Sequence, residues 1–438
     1  MSCEIYNGGL MFRRSLYFLS ILSFFLLFSS YAKAGVDAEV AYILNTFSFL
    51  VCGFLVMWMA AGFLFLESGL VTTKSVSTIA AKNIGKFAIV SVVFYFIGYN
   101  LGYGVPEGGF IGSLSIWSDS SNLETGYSDA SDWFFQALFV CATASIVSGA
   151  VSERIKIWPF FLFSAILGGF IYPIQMGWEG GGGWLDALGF ADFAGSTLVH
   201  ACGGSAALAG VIILGPRLGR FSPTGEPVNM APFAPSSIPL VALGTFILWM
   251  GWFGFNGGSQ LALGSFEDAT AMSKIFMNTQ LAACGGVISG AVISRLVGGK
   301  TDVVMMLNGA LAGLVSITAE PLMPSPILAI CIGLVGGIIM YYGTAFLNYL
   351  KLDDVVGAIP VHMFAGIFGT MIVPLSNPNA LFTIQLLGVV SVCVFVFITS
   401  YIVISAIKST IGLRISEEAE KLGTDKAEVG VIAYSIRD

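Results

Sequence analysis

The chain has 438 residues, of which 56% are hydrophobic and only 10% charged, with 54 glycines and 36 phenylalanines. A soluble domain carries about 25% charged residues, so the composition excludes an ordinary soluble fold and points to an all-α polytopic membrane protein in the lipid bilayer. The net charge of −7 excludes a basic nucleic-acid surface.

Taken in chain order, Arg13-Arg14, the apolar run Leu16 to Phe28 and Ala32-Lys33-Ala34 have the layout of a cleavable signal peptide over residues 1–34. The alternative is a signal-anchor helix. Windows of about 20 apolar residues fill a bilayer core. They predict eleven transmembrane helices across residues 35–407, at 41–66, 84–103, 132–151, 157–176, 192–215, 237–258, 272–294, 303–319, 326–349, 355–374 and 382–407. Residues 408–438 form a polar tail in which Ser416-Glu-Glu-Ala-Glu-Lys opens a capped helix. All cysteines but Cys3 lie in apolar segments and none forms a C-x-x-C pair. They read as small buried hydrophobes, with no disulfide and no metal or cofactor expected.

Charge placement tests the span count. With the mature N-terminus outside, the inside loops hold Lys74, Lys82, Lys86, Arg154, Lys156, Arg217, Arg220, Arg295, Lys300 and Lys351, and only Lys274 falls outside. The bias obeys the positive-inside rule and predicts an inner or plasma membrane protein with a cytoplasmic tail. An even number of spans scrambles it.

The chain has two histidines, and both sit in one phrase. Asp192-Phe-Ala-Gly195-Ser-Thr-Leu-Val199-His200 runs on to Gly204, and Asp354-Val-Val-Gly357-Ala-Ile-Pro-Val361-His362 runs on to Gly366. The first phrase opens span five from outside and the second opens span ten from inside. Spans 1–5 and 6–10 therefore read as a five-plus-five inverted repeat, with span eleven an extra C-terminal helix. Each histidine lies eight residues past its aspartate, about 12 Å along a helix axis, so both rings reach mid-membrane depth. Sites of inverted repeats lie there.

Burial disfavours the charged imidazole, and two imidazoles in contact can share one proton. The pair would thus be a neutral hydrogen-bonding surface able to relay a proton. The bland alternative is two histidines each bonded to a backbone carbonyl. A metal would need further ligands, and only Cys202 sits at a matching depth. Asp192 and Asp354 each open a helix and read first as caps or braces, with direct cation attraction as a second role for Asp192.

At these residues the chain resembles the ammonium transporter (Amt/Mep/Rh) family. Asp192-Phe-Ala-Gly-Ser-Thr-Leu-Val-His200 with Leu214-Gly-Pro-Arg217 is similar to the family signature. Phe135-Gln-Ala-Leu-Phe139, Ser152-Glu-Arg154, Trp178 before a glycine run, Gly251-Trp-Phe-Gly-Phe-Asn-Gly-Gly-Ser259, Asp353-Asp354 and the tail from Gly412 to Glu418 add to it. The resemblance implies a homotrimer with one pore per subunit. It implies that His200 and His362 are the twin pore histidines, and that Phe139, Trp178 and Ser259 recruit ammonium. Phe135 and Phe255 would be the stacked rings closing that vestibule, and Asp192 would support the site. It also implies a tail packed on the neighbouring subunit, with a possible dock for a PII-type regulatory protein. Around His362 the chain departs from the commoner D-V-F-G-V-H form. Gly357 replaces the aspartate, and Pro360, which removes a donor and can bend a helix, precedes the histidine.

Three readings follow. The first is ammonium/ammonia transport, with ammonium deprotonated at the outer site. The second is an ammonium sensor with little net flux, and the third an Rh-type gas channel. An intramembrane enzyme lacks a nucleophile–base set near the histidines.

Overall fold

The computed structural model describes residues 36–222 and 228–434, so the expected signal peptide lies outside the described residues. Among the described residues, nine helices are long and apolar enough to cross a membrane. They are α1 (Ala38–Leu70), α2 (Val76–Tyr103), α3 (Asp129–Ala150), α4 (Ile157–Met176), α5 (Ser196–Leu214), α6 (Ile238–Gly258), α7 (Phe266–Gly298), α9 (Pro326–Tyr349) and α11 (Phe382–Thr410). Two shorter apolar helices, α8 (Val303–Ile317) and α10 (Ile359–Leu375), complete the eleven. Each expected span has its helix. Starts are set locally: Ser237, Ser265, Asp302 and Ser325 accept bonds from first-turn amides of α6, α7, α8 and α9. Those amides have no partner inside the helix.

Packing repeats with a shift of five. The contacts α1–α2, α1–α3, α2–α3, α2–α4 and α3–α5 recur as α6–α7, α6–α8, α7–α8, α7–α9 and α8–α10, while α1 and α6 cross each other. The backbone repeats too. Phe193 N–H, one residue past Asp192, donates to Ala319 C=O beyond α8 at 2.9 Å; Val355 N–H, one past Asp354, donates to Ala150 C=O at the end of α3 at 3.5 Å. Because consecutive helices alternate in direction, a shift of five inverts the copy. α11 packs outside the repeat, against α5 and α10.

Two sequence expectations change. The fifth span starts at Ser196 rather than 192, because Asp192 to Gly195 form the turn that caps it. The second starts at Val76 rather than 84, so Lys82 joins Lys86 within α2, and both are buried rather than solvated at a loop. Their partners, Glu67 of α1, Ser145 of α3 and Ser152 just past α3, come from elsewhere in the chain, and hydropathy windows cannot see such pairing.

The tail helix α12 (Glu417–Leu422) starts at Ser416, whose hydroxyl accepts from Ala419 N–H at 3.2 Å. The tail then lies on the first turns of its own chain's α2 and α4. Asp425 accepts from Thr78 N–H at 2.8 Å, and Glu428 accepts from Ile157 N–H at 2.9 Å. We call this face the tail end of the bundle.

Candidate functional site

Each letter shared by the two copies of the phrase has a mechanical job. Asp192 accepts from the amides of Ser196, Thr197 and Leu198 at 2.7–2.8 Å. Asp354 accepts from Gly357 N–H at 3.1 Å and Ile359 N–H at 2.7 Å. For the chain to fold back onto its own carboxylate, the glycine three residues on takes φ of +100° at Gly195 and +79° at Gly357. That left-handed region costs any other L-residue about 1–2 kcal/mol. Gly357 is therefore the counterpart of Gly195.

Past each turn the backbone winds as a π-helical segment, Ser196–Ala201 and Ile359–Phe364, and each holds its histidine. Such segments are rare and cluster at functional sites. Pro360 sits in the first turn of its segment, where a missing N–H costs nothing. It does not displace His362. The closing glycines admit the opposite segment: a Cβ on Gly204 would lie 2.5 Å from Met363 Cβ, and one on Gly366 would strike the Ser196 carbonyl. A Thr197–Thr370 hydroxyl bond of 2.7 Å ties the first segment to the helix that continues the second.

The result is a histidine pair at the crossing of the two halves. The Nδ1 atoms lie 3.2 Å apart and the rings are 5.2 Å apart at 22°. Both are buried, 1% and 3% exposed. With hydrogens assigned by bonding logic, one Nδ1 donates and the other accepts. The accepting neutral ring then carries its hydrogen on Nε2, and the donating ring leaves Nε2 bare. Two protonated Nδ1 atoms would face each other as donors, so the contact itself selects the shared-proton state. His200 Nε2 is buried and has no hydrogen-bond partner among the described residues. Trp252 stacks on His200 at 5.0 Å and 20°, and Phe63 flanks His362 at 6.0 Å. Neither residue is singled out by sequence reasoning. Trp252, Phe255 and Ser259 do share one helical face by spacing, which could have drawn attention to the tryptophan.

Toward the opposite end the pair is roofed by aromatic rings. Phe255 lies 5.3 Å from His200 and stacks on Phe139 at 4.0 Å and 25°. This corrects the expected Phe135–Phe255 stack. Phe135 instead packs on Phe139 at 4.7 Å and 60°. Positions 135 and 139 are one helical turn apart, so spacing alone cannot choose which faces α6. The Ser259 hydroxyl donates to Phe255 C=O at 2.8 Å, leaving its lone pairs as acceptors. Trp178 stands in another aromatic group, 5.0 Å from Phe395 and 5.8 Å from Trp184, with its N–H on Phe110 C=O.

At the tail end Arg217 grips Asp353 through two nitrogens at 2.8 and 2.9 Å and also bonds Glu153. The Arg154 guanidinium donates to the carbonyls of Gly215, Ala150, Ser152 and Asp353. Burial alone would raise the Asp353 pKa. The bonds and charge of Arg217 outweigh it and hold the group at about 2, against an ordinary 3.8. For Arg154 burial dominates and lowers the pKa to about 10, Asp353 opposing. These residues hold loops together and stand apart from the histidines.

Two inverted helical halves meeting at a buried, mutually bonded histidine pair define a membrane transport architecture, with its site at the repeat interface. The profile of the Ammonium Transporter Family matches residues 47–434, and the chain belongs to that family. It is 38% identical to ammonium transporter Amt2 of Archaeoglobus fulgidus, over 88% of this chain and 87% of the relative. It is 34% identical to ammonium transporter Amt1 of Methanocaldococcus jannaschii, over 90% and 97%. Among solved structures it is similar to a sensor Amt protein, with TM-score 0.84 and 32% identity, covering 90% of this chain and 100% of that one. Mep2 of Candida albicans matches with TM-score 0.79 at 26% identity, over 91% and 92%.

Proposed function

We propose that this protein moves ammonium across the membrane by taking it apart. Ammonium is held by the aromatic faces and by the acceptor oxygen of Ser259, with Phe139 and Trp178 as recruiting rings and the Phe139–Phe255 stack as the gate. Phe135 backs that gate. Cation–π attraction supplies about 0.5–2 kcal/mol, far below the cost of stripping water from an ion in an apolar passage. The ion therefore gives up a proton, and neutral ammonia passes His200 and His362, which hydrogen-bond it and relay protons. Potassium has no proton to give, so the same barrier rejects it. Asp192 and Asp354 brace the two histidine segments. The observation that carries this reading is the 3.2 Å histidine contact beneath the stacked rings.

The test is reconstitution into liposomes with recording of current and internal pH on an ammonium pulse. A folded protein that gives neither response refutes transport. His200→Ala should abolish ammonium-selective flux or admit potassium; unchanged rate and selectivity return His200 to a structural role. A sensor that binds ammonium without sustained flux is the second reading, favoured by the likeness to the sensor Amt protein. Saturable binding without flux would select it.

The remaining parts of the proposal follow family and charge. The subunit works in a homotrimer, with the tail end cytoplasmic and a leader cleaved after Ala34. A PII-type protein docks at the tail. N-terminal sequencing of the native protein checks the cleavage, and native mass measurement checks the trimer.

A further inference from the structure

Beside the histidines the bundle buries a second polar feature, unused by the reading above. Glu67 closes on it from α1, Lys82 and Lys86 from one face of α2, Ser145 and Ser148 from one face of α3, and Ser152 from the turn just past α3. Glu67 is 0% exposed and the two lysines 2% and 1%. Lys86 Nζ donates to the Ser145 hydroxyl and, at 2.9 Å, to Asn83 Oδ1. Lys82 Nζ donates to Ser148 C=O at 2.6 Å and to Ser152 Oγ at 2.9 Å, and lies 3.7 Å from Glu67 Oε2. The Ser148 hydroxyl donates to that same oxygen at 2.7 Å, while Glu67 Oε1 is buried with no hydrogen-bond partner among the described residues. Cys141, Glu153 and Arg154 are the other titratable groups acting on the two lysines.

The ends of this ladder are informative. At one end Ser145, Phe63 and His362 line a common cavity of about 10 Å³, close to the room one water needs. At the other, Ser152 precedes Glu153, whose side chain lines a 250 Å³ pocket at the tail end with Thr72, Ser75 and Arg217. Packing does not call for such a cluster: burying each ion costs several kcal/mol, and apolar side chains of similar volume hold helices as well. With two amines and one carboxylate, the overall neutral state leaves one amine with a free lone pair. Intramembrane ionisable groups of this kind mark ion and proton pathways.

We propose that this ladder carries the ammonium proton to the tail end, beside the path taken by ammonia. The inference rests on the transport reading. The N–H bond of ammonium breaks with its electron pair left on nitrogen, and the proton bonds a histidine nitrogen. His362 passes it through the cavity water to the free amine of Lys86. A proton then moves on through Ser145, Ser148 and the Glu67–Lys82 pair toward Glu153, where it rejoins ammonia in solvent. Nothing is oxidised or reduced, and one ammonium leaves for each that entered.

The experiment uses full-length protein in liposomes, with ammonium-evoked current and internal alkalinisation by ammonia read separately. Lys86→Met should lower the current by about tenfold or more and turn the response into internal alkalinisation, because ammonia then enters without its proton. Lys86→Arg should lose current equally, because a guanidinium keeps its charge but does not shed its proton. Ser145→Ala, a change small enough to fold, should reduce current several-fold with alkalinisation appearing in its place. Current in Lys86→Met within about twofold of wild type, or its rescue by Lys86→Arg, overturns the proposal. So does loss of current with no alkalinisation appearing in both Lys86→Met and Ser145→Ala. Wild type that alkalinises without current overturns the ladder alone; wild type with neither response overturns transport itself.

Discussion

Gly204→Ala tests whether the closing glycine of the phrase sets the histidine contact. An added Cβ would lie 2.5, 2.7 and 2.9 Å from Met363 Cβ, N and Cα. All three atoms belong to the residue after His362, two of them backbone, so a rotamer change cannot relieve the clash. Ordinary contact begins at 3.4 Å, so the segment holding His362 must retreat by about 1 Å in a close-packed interior. The 3.2 Å histidine contact would then widen to about 4 Å, beyond hydrogen-bonding range. Overpacking of this kind costs about 1–3 kcal/mol. Thermal unfolding of detergent-solubilised protein measures that loss, and ammonium-driven current in liposomes measures the opened pair. Gly298→Ala, where nothing lies within 4 Å, is the control and should change neither. Wild-type stability and current in Gly204→Ala would show that the glycine does not set the spacing, and the argument would fail.

The other expectations concern the remaining positions. Gly357→Ala meets both the +79° φ and Asn308 Nδ2 at 2.8 Å from the new Cβ, and should cost about 1–2 kcal/mol by the same unfolding assay. Trp252→Ala removes the ring stacked on His200 and the 2.8 Å bond from its N–H to Thr318. A loss of about 3–5 kcal/mol with leakier ion selectivity is expected, and an unaltered potassium current would count against a wall role. The low pKa of Asp353, about 2 against 3.8, means that it stabilises the fold when ionised. That stability, about 2 kcal/mol, is present above the ordinary value and is lost as pH falls toward the folded one. Asp353→Asn should lower stability by this amount at neutral pH, and the gap to wild type should close as the medium is acidified toward pH of about 2. A gap that stays constant with pH would refute it.

Much of this site is legible in the sequence because a rare residue is repeated in context. Two histidines, each eight positions past an aspartate and four before a glycine, fix depth and pairing once the topology inverts one copy. The stacked partner of Phe255 is not legible, because Phe135 and Phe139 share a helix face and only the rotation of α3 against α6 separates them. Lys82 and Lys86 mislead for a related reason. Charge in a sequence reads as a loop, and only three-dimensional pairing with Glu67 and the hydroxyls of Ser145 and Ser152 makes two lysines tolerable inside a span. Gly357 and Pro360 look like departures when only the second phrase is considered. Beside the first they are the expected parts: a left-handed glycine after a capping aspartate, and a proline where no donor is needed. An inverted repeat demands this. For two halves to bring one ring each to a shared point, each must reproduce the turn that launches the ring and the gap that receives its partner. Identity of the residues between is free to drift.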